Sequence, residues 1–182
     1  MNRDEILDYY KEKHAKDPGF SKGSALIKHI PKIAEYIQTF EYRSILDYGC
    51  GKALFWKQDK IFINSLFEWQ GVNGTIDLYD PAIPEYQILQ TRRYDMVICT
   101  DVLEHVLEED VPDTLDNILS RVRKMAYLNI STKPATKTFN NGSNVHVTIR
   151  DRLWWQKQIK QSEERTMEKT RQYMSIACFF DD

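Results

Sequence analysis

One short segment constrains the fold more than any other: residues 44–53, with the sequence SILDYGCGKA. Its first residues, up to Leu46, are typical of the end of a buried strand, and Asp47 closes that strand. Gly49 and Gly51 then permit a sharp turn and let the main chain approach a bound molecule closely. A glycine pair after a strand typically cradles a nucleotide-like ligand in an open α/β sheet. The segment therefore predicts both a fold class and a ligand-binding edge.

Three more segments have the pattern of buried strands: residues 75–80, 94–100 and 126–132. Between the last two lies a predicted helix with a clear start, since Asp110 can cap it and Pro112 suits its first turn. Parallel strands need a long crossover connection, so this order predicts a mostly parallel sheet with helices on both faces. We therefore expect an α/β protein with a doubly wound sheet.

The two ends of the chain are predicted to flank this sheet. Residues 1–40 read as a helical cap of two helices that lies across the sheet edge or the mouth of the binding site. The second of these helices begins at a cap on Ser24 or afresh at Pro31. Near the other end, a helix is expected over residues 154–160, and the alternation in residues 165–180 predicts a C-terminal antiparallel hairpin.

Composition excludes several classes of protein. The chain has 182 residues, of which 42% are hydrophobic and 29% charged, so it can bury a core of its own. A formal net charge of -2 argues against a protein that coats nucleic acid. We find no signal-peptide pattern, no membrane-spanning apolar run and no metal-type pairing of the three cysteines, which predicts a cytoplasmic protein. No repeat divides the chain, so we expect one domain over residues 1–182, with the cap followed by a core over residues 44–182.

Acidic and polar residues follow the predicted strands, where the ligand site of an open α/β sheet lies. Asp47 follows the first strand, and Asp80 follows the second, directly before Pro81. The third strand leads into the sequence TDVLEH, residues 100–105. A carboxylate at the second strand end can accept hydrogen bonds from both hydroxyls of a ribose. The alternative for Asp80 is a turn residue before a proline.

The order of these strand ends resembles a known family. The acid-x-Gly-x-Gly pattern of residues 47–51 resembles the first motif of the class I S-adenosylmethionine-dependent methyltransferases, Asp80 resembles the second motif, and TDVLEH resembles the fourth. The resemblance implies a Rossmann-like fold and S-adenosylmethionine as the cofactor. The cofactor-binding residues that it implies are Asp47, Gly49, Cys50 and Gly51 at the amino-acid end, Asp80 and Pro81 at the ribose, and Thr100, Asp101 and Val102 along the side. Residues 146–155 (HVTIRDRLWW) and the loop before them are similar to compact bacterial and phage methyltransferase-like proteins.

Two features set the chain apart from related patterns. The dinucleotide fingerprint needs Gly or Ala three residues after its second glycine, and Leu54 stands there, which argues against a nicotinamide-dependent enzyme. Only about a dozen residues separate Asp80 from Tyr94. We therefore expect the third strand of the family, together with its helix, to be shortened or missing.

Two histidines are candidates for acid–base chemistry, because histidine titrates near neutral pH. His105 follows the end of the third predicted strand, and His146 follows the loop after the fourth, so both can reach one cleft. A structural role is the alternative for each ring. His105 and His146 are our predicted catalytic residues, although methyl transfer itself depends more on alignment than on a base.

A metal site is an alternative at the same place. Asp101, Glu104, His105 and the distant His146 resemble the acid-x-x-Glu-His…His site of small-RNA 2′-O-methyltransferases. Oxygen and imidazole ligands of this kind suit a divalent metal that assists transfer to an RNA or catechol-type hydroxyl. A further alternative is a module that binds the cofactor and transfers nothing.

Charge favours a small acceptor. Residues 101–120 contain seven acidic residues and no Lys or Arg, and such a rim repels phosphate groups. The basic residues within 150–171 are interleaved with acidic ones, which is typical of a solvated helix face. The motifs of DNA base methylation are missing from the sequence. We therefore expect a small-molecule acceptor that is uncharged or cationic, and not a nucleic acid.

Overall fold

The computed structural model describes residues 1–21, 24–58, 60–68 and 74–181. Its helices are α1 (Arg3–Lys16), α2 (Ser24–Thr39), α3 (Leu54–Gln58), α4 (Lys60–Glu68), α5 (Val111–Leu119) and α6 (Arg152–Thr170). Its strands are β1 (Ser44–Tyr48), β2 (Thr75–Tyr79), β3 (Tyr94–Thr100), β4 (Val122–Ser131) and β5 (Ser175–Asp181). Two short 3₁₀ turns, Leu103–His105 and Glu108–Asp110, lie between β3 and α5.

The five strands form one sheet in the order β2-β1-β3-β4-β5, and every neighbouring pair is parallel. This confirms the predicted α/β fold with a Rossmann-like sheet. After β1 the chain passes to β2 on one side and then to β3 on the other. Such a reversal opens a crevice at the carboxyl ends of the two central strands, here β1 and β3.

The predicted C-terminal hairpin is wrong. Residues 165–170 continue α6, and Arg171 caps the end of the helix in the left-handed conformation, with φ of 53°. The chain then forms the single strand β5, parallel to β4. The last turns of α6 are held against α5, where Arg165 donates to Asp116 at 2.7 Å. A crossover helix returns the chain to the edge from which β4 started, so the next strand runs parallel to β4.

Helices cover both faces of the sheet. One core cluster lies between one face and helices α2 and α4, and its most deeply buried members include Ile33, Ile37, Ile45, Leu66, Met96 and Ile98. The other lies between the opposite face and helices α5 and α6, and includes Val97, Leu115, Ile118, Leu128 and Trp155. Neighbouring strand residues such as Met96 and Val97 belong to different clusters because side chains alternate along a strand. With both faces covered, the carboxyl ends of the strands are left to form a site.

Two local expectations can be compared with the fold. Pro31 lies inside α2 and does not begin a new helix. Residues 80–93, between β2 and β3, contain turns and neither strand nor helix, so this connection is shortened as expected. In the described part of the chain, none of the helices has both the length and the hydrophobicity that crossing a membrane requires.

Candidate active site

The glycine turn after β1 is tied directly to the end of β2. The main-chain N–H groups of Gly49 and Cys50 both donate to the carbonyl of Tyr79, at 2.7 and 3.0 Å. The next N–H group, that of Gly51, donates to the carboxylate of Asp80 at 2.9 Å. The other oxygen of Asp80 accepts from the N–H of Ala82 at 2.8 Å. The first two predicted motifs therefore meet at one edge of the sheet.

Neighbouring residues of the protein leave no room for a side chain at either glycine of this turn. Gly49 has φ of +83°, and a Cβ atom there would lie 2.3 Å from Cγ2 of Val102. Gly51 has φ of +54°, and a Cβ atom there would lie 2.2 Å from Oγ of Ser21. The sequence predicts that the glycine pair gives a ligand close access to the main chain. The contacts add a second requirement, since the turn packs against the loops after α1 and β3.

Asp47 is the most deeply buried carboxylate of the turn, with 3% of its surface exposed. It accepts a hydrogen bond from Nε1 of Trp56 at 2.7 Å. Burial raises the pKa of Asp47 to about 7; the Trp56 hydrogen bond opposes the shift and the charge of Asp80 adds to it. Burial also raises the pKa of Asp80, against the hydrogen bonds from Ala82 and Gly51. The two carboxylates are thus close enough to influence each other.

The end of β3 brings the fourth predicted motif to the same edge. Thr100 is buried and lies in register with Asn129 of β4. The next residue, Asp101, is exposed and left-handed, with φ of 59°, and its N–H donates to the carbonyl of Asn129 at 3.1 Å. Val102 packs against the glycine turn, as the Gly49 contact shows. The segment predicted to run along the cofactor therefore lies beside the turn.

The two predicted catalytic histidines lie next to each other. Their ring centroids are 4.8 Å apart. Nδ1 of His105 lies 2.9 Å from the carbonyl oxygen of Val145, and Nδ1 of His146 lies 2.6 Å from that of Lys133. A carbonyl can only accept, so each Nδ1 carries a hydrogen, and Nε2 is the atom of each ring that can hold a lone pair. Burial lowers the pKa of His105, which favours the neutral form.

Three of the four alternative metal ligands come together. One ligand atom from each of Asp101, His105 and His146 lies within 4.8 Å of the other two. The fourth, Glu104, is fully buried, and its Oε1 accepts from the N–H of Ser131 at 2.9 Å. Burial and the charge of Asp101 raise the pKa of Glu104 well above its usual range. The cluster of Asp101, His105 and His146 thus has the donor set of a divalent metal site, with Glu104 behind it.

Comparison with known proteins adds the family to this geometry. Residues 20–175 match the family described as "Methyltransferase domain". The chain belongs to this family. It is therefore a member of the class I S-adenosylmethionine-dependent methyltransferases, which confirms the resemblance found in the motifs. No curated protein and no solved structure matched the chain.

A side chain of α1 also lies at the candidate site of this methyltransferase domain, and the sequence did not predict it. The hydroxyl of Tyr10 lies 2.7 Å from Nδ1 of His105. Burial raises the pKa of Tyr10, and the nearby Tyr9, Asp101, Glu104 and Asp80 raise it further. The signal in the sequence was the prediction that residues 1–40 lie across the sheet edge or the mouth of the binding site, which did not single out Tyr10.

The remaining predicted cofactor residues lie at the edge of the same turn. Cys50 of the methyltransferase domain is buried, and burial raises the pKa of its thiol well above the usual range. A thiol in that state is a poor nucleophile, which argues against a nucleophilic role for Cys50. Pro81 is exposed directly after Asp80. Their roles toward the cofactor stay predictions.

Proposed function

We propose that this chain uses S-adenosylmethionine to methylate a small acceptor that is uncharged or cationic. The observation that carries the proposal is the hydrogen bond from the Gly51 N–H to Asp80, which brings the first and second motifs to one edge of the sheet. Membership of the methyltransferase family supports it, because members of that family generally use this cofactor.

The residues present fit the cofactor. Asp47 and Asp80 are separated carboxylates at one edge, suited to an ammonium group and to ribose hydroxyls respectively. The segment from Thr100 to Val102 borders the turn between them and would line the side of the bound molecule. When bound, S-adenosylmethionine supplies a methyl group already activated by its sulfonium. The protein's task is then to align an acceptor with that group.

His105 and His146 are the residues placed to handle the acceptor's proton. Their Nδ1 atoms face carbonyl oxygens, so the Nε2 lone pairs are available as bases. The pair lies after β3 and β4, beside the turn that we assign to the cofactor. We assign to them the removal of a proton from an acceptor that enters protonated.

The charge around the site supports a small acceptor. Asp101, at the end of β3, is an exposed acidic residue of the candidate site. Two of the basic residues near α6 are paired with acids, since Arg165 pairs with Asp116, and Arg150 pairs with Glu108 at 2.6 Å. An approaching phosphate backbone would therefore meet acids at the rim and paired cations beyond it.

A panel of small hydroxyl, amine and thiol compounds tests the proposal, with methyl transfer from labelled S-adenosylmethionine as the readout. His146→Ala should bind S-adenosylhomocysteine as the wild type does and transfer methyl groups about 100-fold more slowly. His29→Ala is the matched control, because His29 lies on α2, where its ring is hydrogen-bonded to Tyr127 of β4, and is not part of the pair. Cofactor binding without transfer to any compound would select the binding-module alternative.

The cluster of Asp101, His105 and His146 favours a second candidate function, metal-assisted transfer to a hydroxyl. Here the Nε2 atoms would bind a divalent ion, while the two carbonyls hold the rings in place. Titration calorimetry with Mn²⁺ alone tests this site. The candidate predicts one ion per wild-type chain and at least tenfold weaker binding in His146→Ala. Equal binding by both proteins, or full activity in excess chelator, would reject it.

A further inference from the structure

α1 lies outside residues 20–175, which match the methyltransferase family, and is nevertheless fixed firmly in place. A capping box between Asn2 and Glu5 closes its first turn. Ile6 and Tyr9 pack with Phe139 in a small apolar cluster under the loop after β4. The helix therefore presents its other side chains at defined positions, although the family match does not include it.

Two of these side chains point to the site. The hydroxyl of Tyr10 lies 2.7 Å from Nδ1 of His105. One turn further along, burial lowers the pKa of His14, and the nearby charge of Asp80 opposes this shift. α1 thus crosses the site from the histidine pair toward the carboxylate that we assign to the ribose. A molecule held between Asp80 and His105 would lie beside Tyr10.

The hydrogen bonds at His105 determine what Tyr10 can do. Nδ1 of this ring lies near two oxygens, the carbonyl of Val145 at 2.9 Å and the hydroxyl of Tyr10 at 2.7 Å. The carbonyl must be an acceptor, so Nδ1 is the donor to it. The hydroxyl oxygen of Tyr10 therefore faces the Nδ1–H group of His105, and the hydroxyl hydrogen of Tyr10 is not donated to this ring. Among the residues that the structure describes, this hydroxyl makes no hydrogen bond to an acceptor other than His105.

We propose that Tyr10 is a specificity-determining residue of the acceptor site, whose hydroxyl donates a hydrogen bond to a small, uncharged acceptor held beside His105. The proposal rests on the methyltransferase function proposed above and narrows its substrate class. A phenol donor selects a molecule that offers an oxygen or nitrogen lone pair. A site whose hydrogen-bond donor is left unpaired discriminates strongly against an analogue without that lone pair.

The first test is the hydrogen position on His105. The protein has four histidines, and ¹⁵N labelling of them with NMR detection distinguishes Nδ1–H from Nε2–H rings. Signals of His105 are assigned by their loss in His105→Gln. The proposal requires Nδ1–H. If His105 instead carried its hydrogen on Nε2, the proposal would be overturned, because the hydroxyl of Tyr10 would then donate its hydrogen to Nδ1.

The second test compares two hydroxyl deletions on the same helix. Tyr10→Phe should raise KM for an acceptor from the panel about tenfold, with kcat changed less than about threefold, since one hydrogen bond is lost. Tyr9→Phe is the matched control, because it removes a hydroxyl of the same helix that has a different partner, the carbonyl of Thr138 at 3.4 Å. An unchanged KM in Tyr10→Phe, or equal losses in both variants, would overturn the proposal.

The binding of S-adenosylhomocysteine separates this proposal from the function on which it rests. Both phenylalanine variants should bind it with wild-type affinity. If the wild type does not bind it, the methyltransferase function itself fails. If the wild type binds it and His105 is an Nε2–H ring, only the role of Tyr10 fails.

Discussion

At the scale of single residues, Asp47 is a carboxylate whose protonation state depends strongly on its surroundings. It lies between the indole N–H of Trp56 and the charge of Asp80, with almost no contact with solvent. Burial without a compensating cation raises its pKa to about 7. A cationic ligand beside it would favour the charged form, which is consistent with the ammonium-binding role that we propose for Asp47.

Asp47→Asn tests this buried state through the pH dependence of stability. The folded pKa of about 7 lies above the ordinary value of 3.8, so the native state holds a proton that the unfolded state releases first. The wild-type free energy of unfolding should therefore fall as the pH rises from about 4 to about 7. Asn keeps an oxygen for Trp56 and removes the titration. Urea unfolding at several pH values should give a flatter profile for the variant, and parallel profiles would contradict the raised pKa.

Gly49→Ala tests the packing of the turn. A Cβ atom would lie 2.3 Å from Val102 at φ of +83°, so we expect a loss of about 2–4 kcal/mol in the free energy of unfolding, from strain and overpacking. Gly142→Ala is the matched control, because Gly142 has φ of +84° and nothing within 4 Å of its Cβ position. If urea unfolding showed an equal loss in the free energy of unfolding for both variants, the contact with Val102 would contribute nothing to the loss in Gly49→Ala.

Sequence reasoning found the residues that follow strands directly. Asp47, Asp80 and His105 could be predicted because a strand end fixes where the next residues lie. Trp56 and Tyr10 could not, since each reaches the site from a helix whose position depends on tertiary packing. Hydrophobic periodicity describes such a helix face and does not say which partner the face will meet.

At the scale of elements, α6 explains both the success and the failure of the C-terminal prediction. Its start was nearly recognised, since the helix was expected over residues 154–160 and begins at Arg152. Its length was underestimated, because the polar, weakly periodic residues after 160 resemble a loop or hairpin. Contacts with α5, such as Arg165 with Asp116, are long-range and leave no local pattern. The direction of β5 follows from that helix.

Removal of the α6 cap gives a prediction at this scale. The side chain of Asp151 accepts from the N–H of Trp154 at 2.8 Å and closes the first turn. Asp151→Ala should lower the free energy of unfolding by about 1 kcal/mol. Asp151→Asn, which keeps a capping oxygen, should lose much less. Similar losses in the two variants, measured by urea unfolding, would contradict the capping role.

At the scale of the whole molecule, the parallel sheet assembles the site. Residues far apart in sequence meet because the ends of β1, β2, β3 and β4 lie along one edge. The fold class follows from the strand patterns, and so does the expectation that the candidate site lies at the carboxyl ends of the strands. The hairpin did not form, and the organisation of residues 1–182 as one domain stays a prediction.

Calorimetric titration of the chain with S-adenosylmethionine tests the central claim most directly. The account predicts one molecule bound per wild-type chain and about tenfold or greater weakening in Asp80→Ala, from the loss of a buried hydrogen-bonding carboxylate. Glu85→Gln, which removes an exposed carboxylate on the following turn, should bind as the wild type does. No binding by the wild type, or equal affinity in Asp80→Ala, would contradict the account.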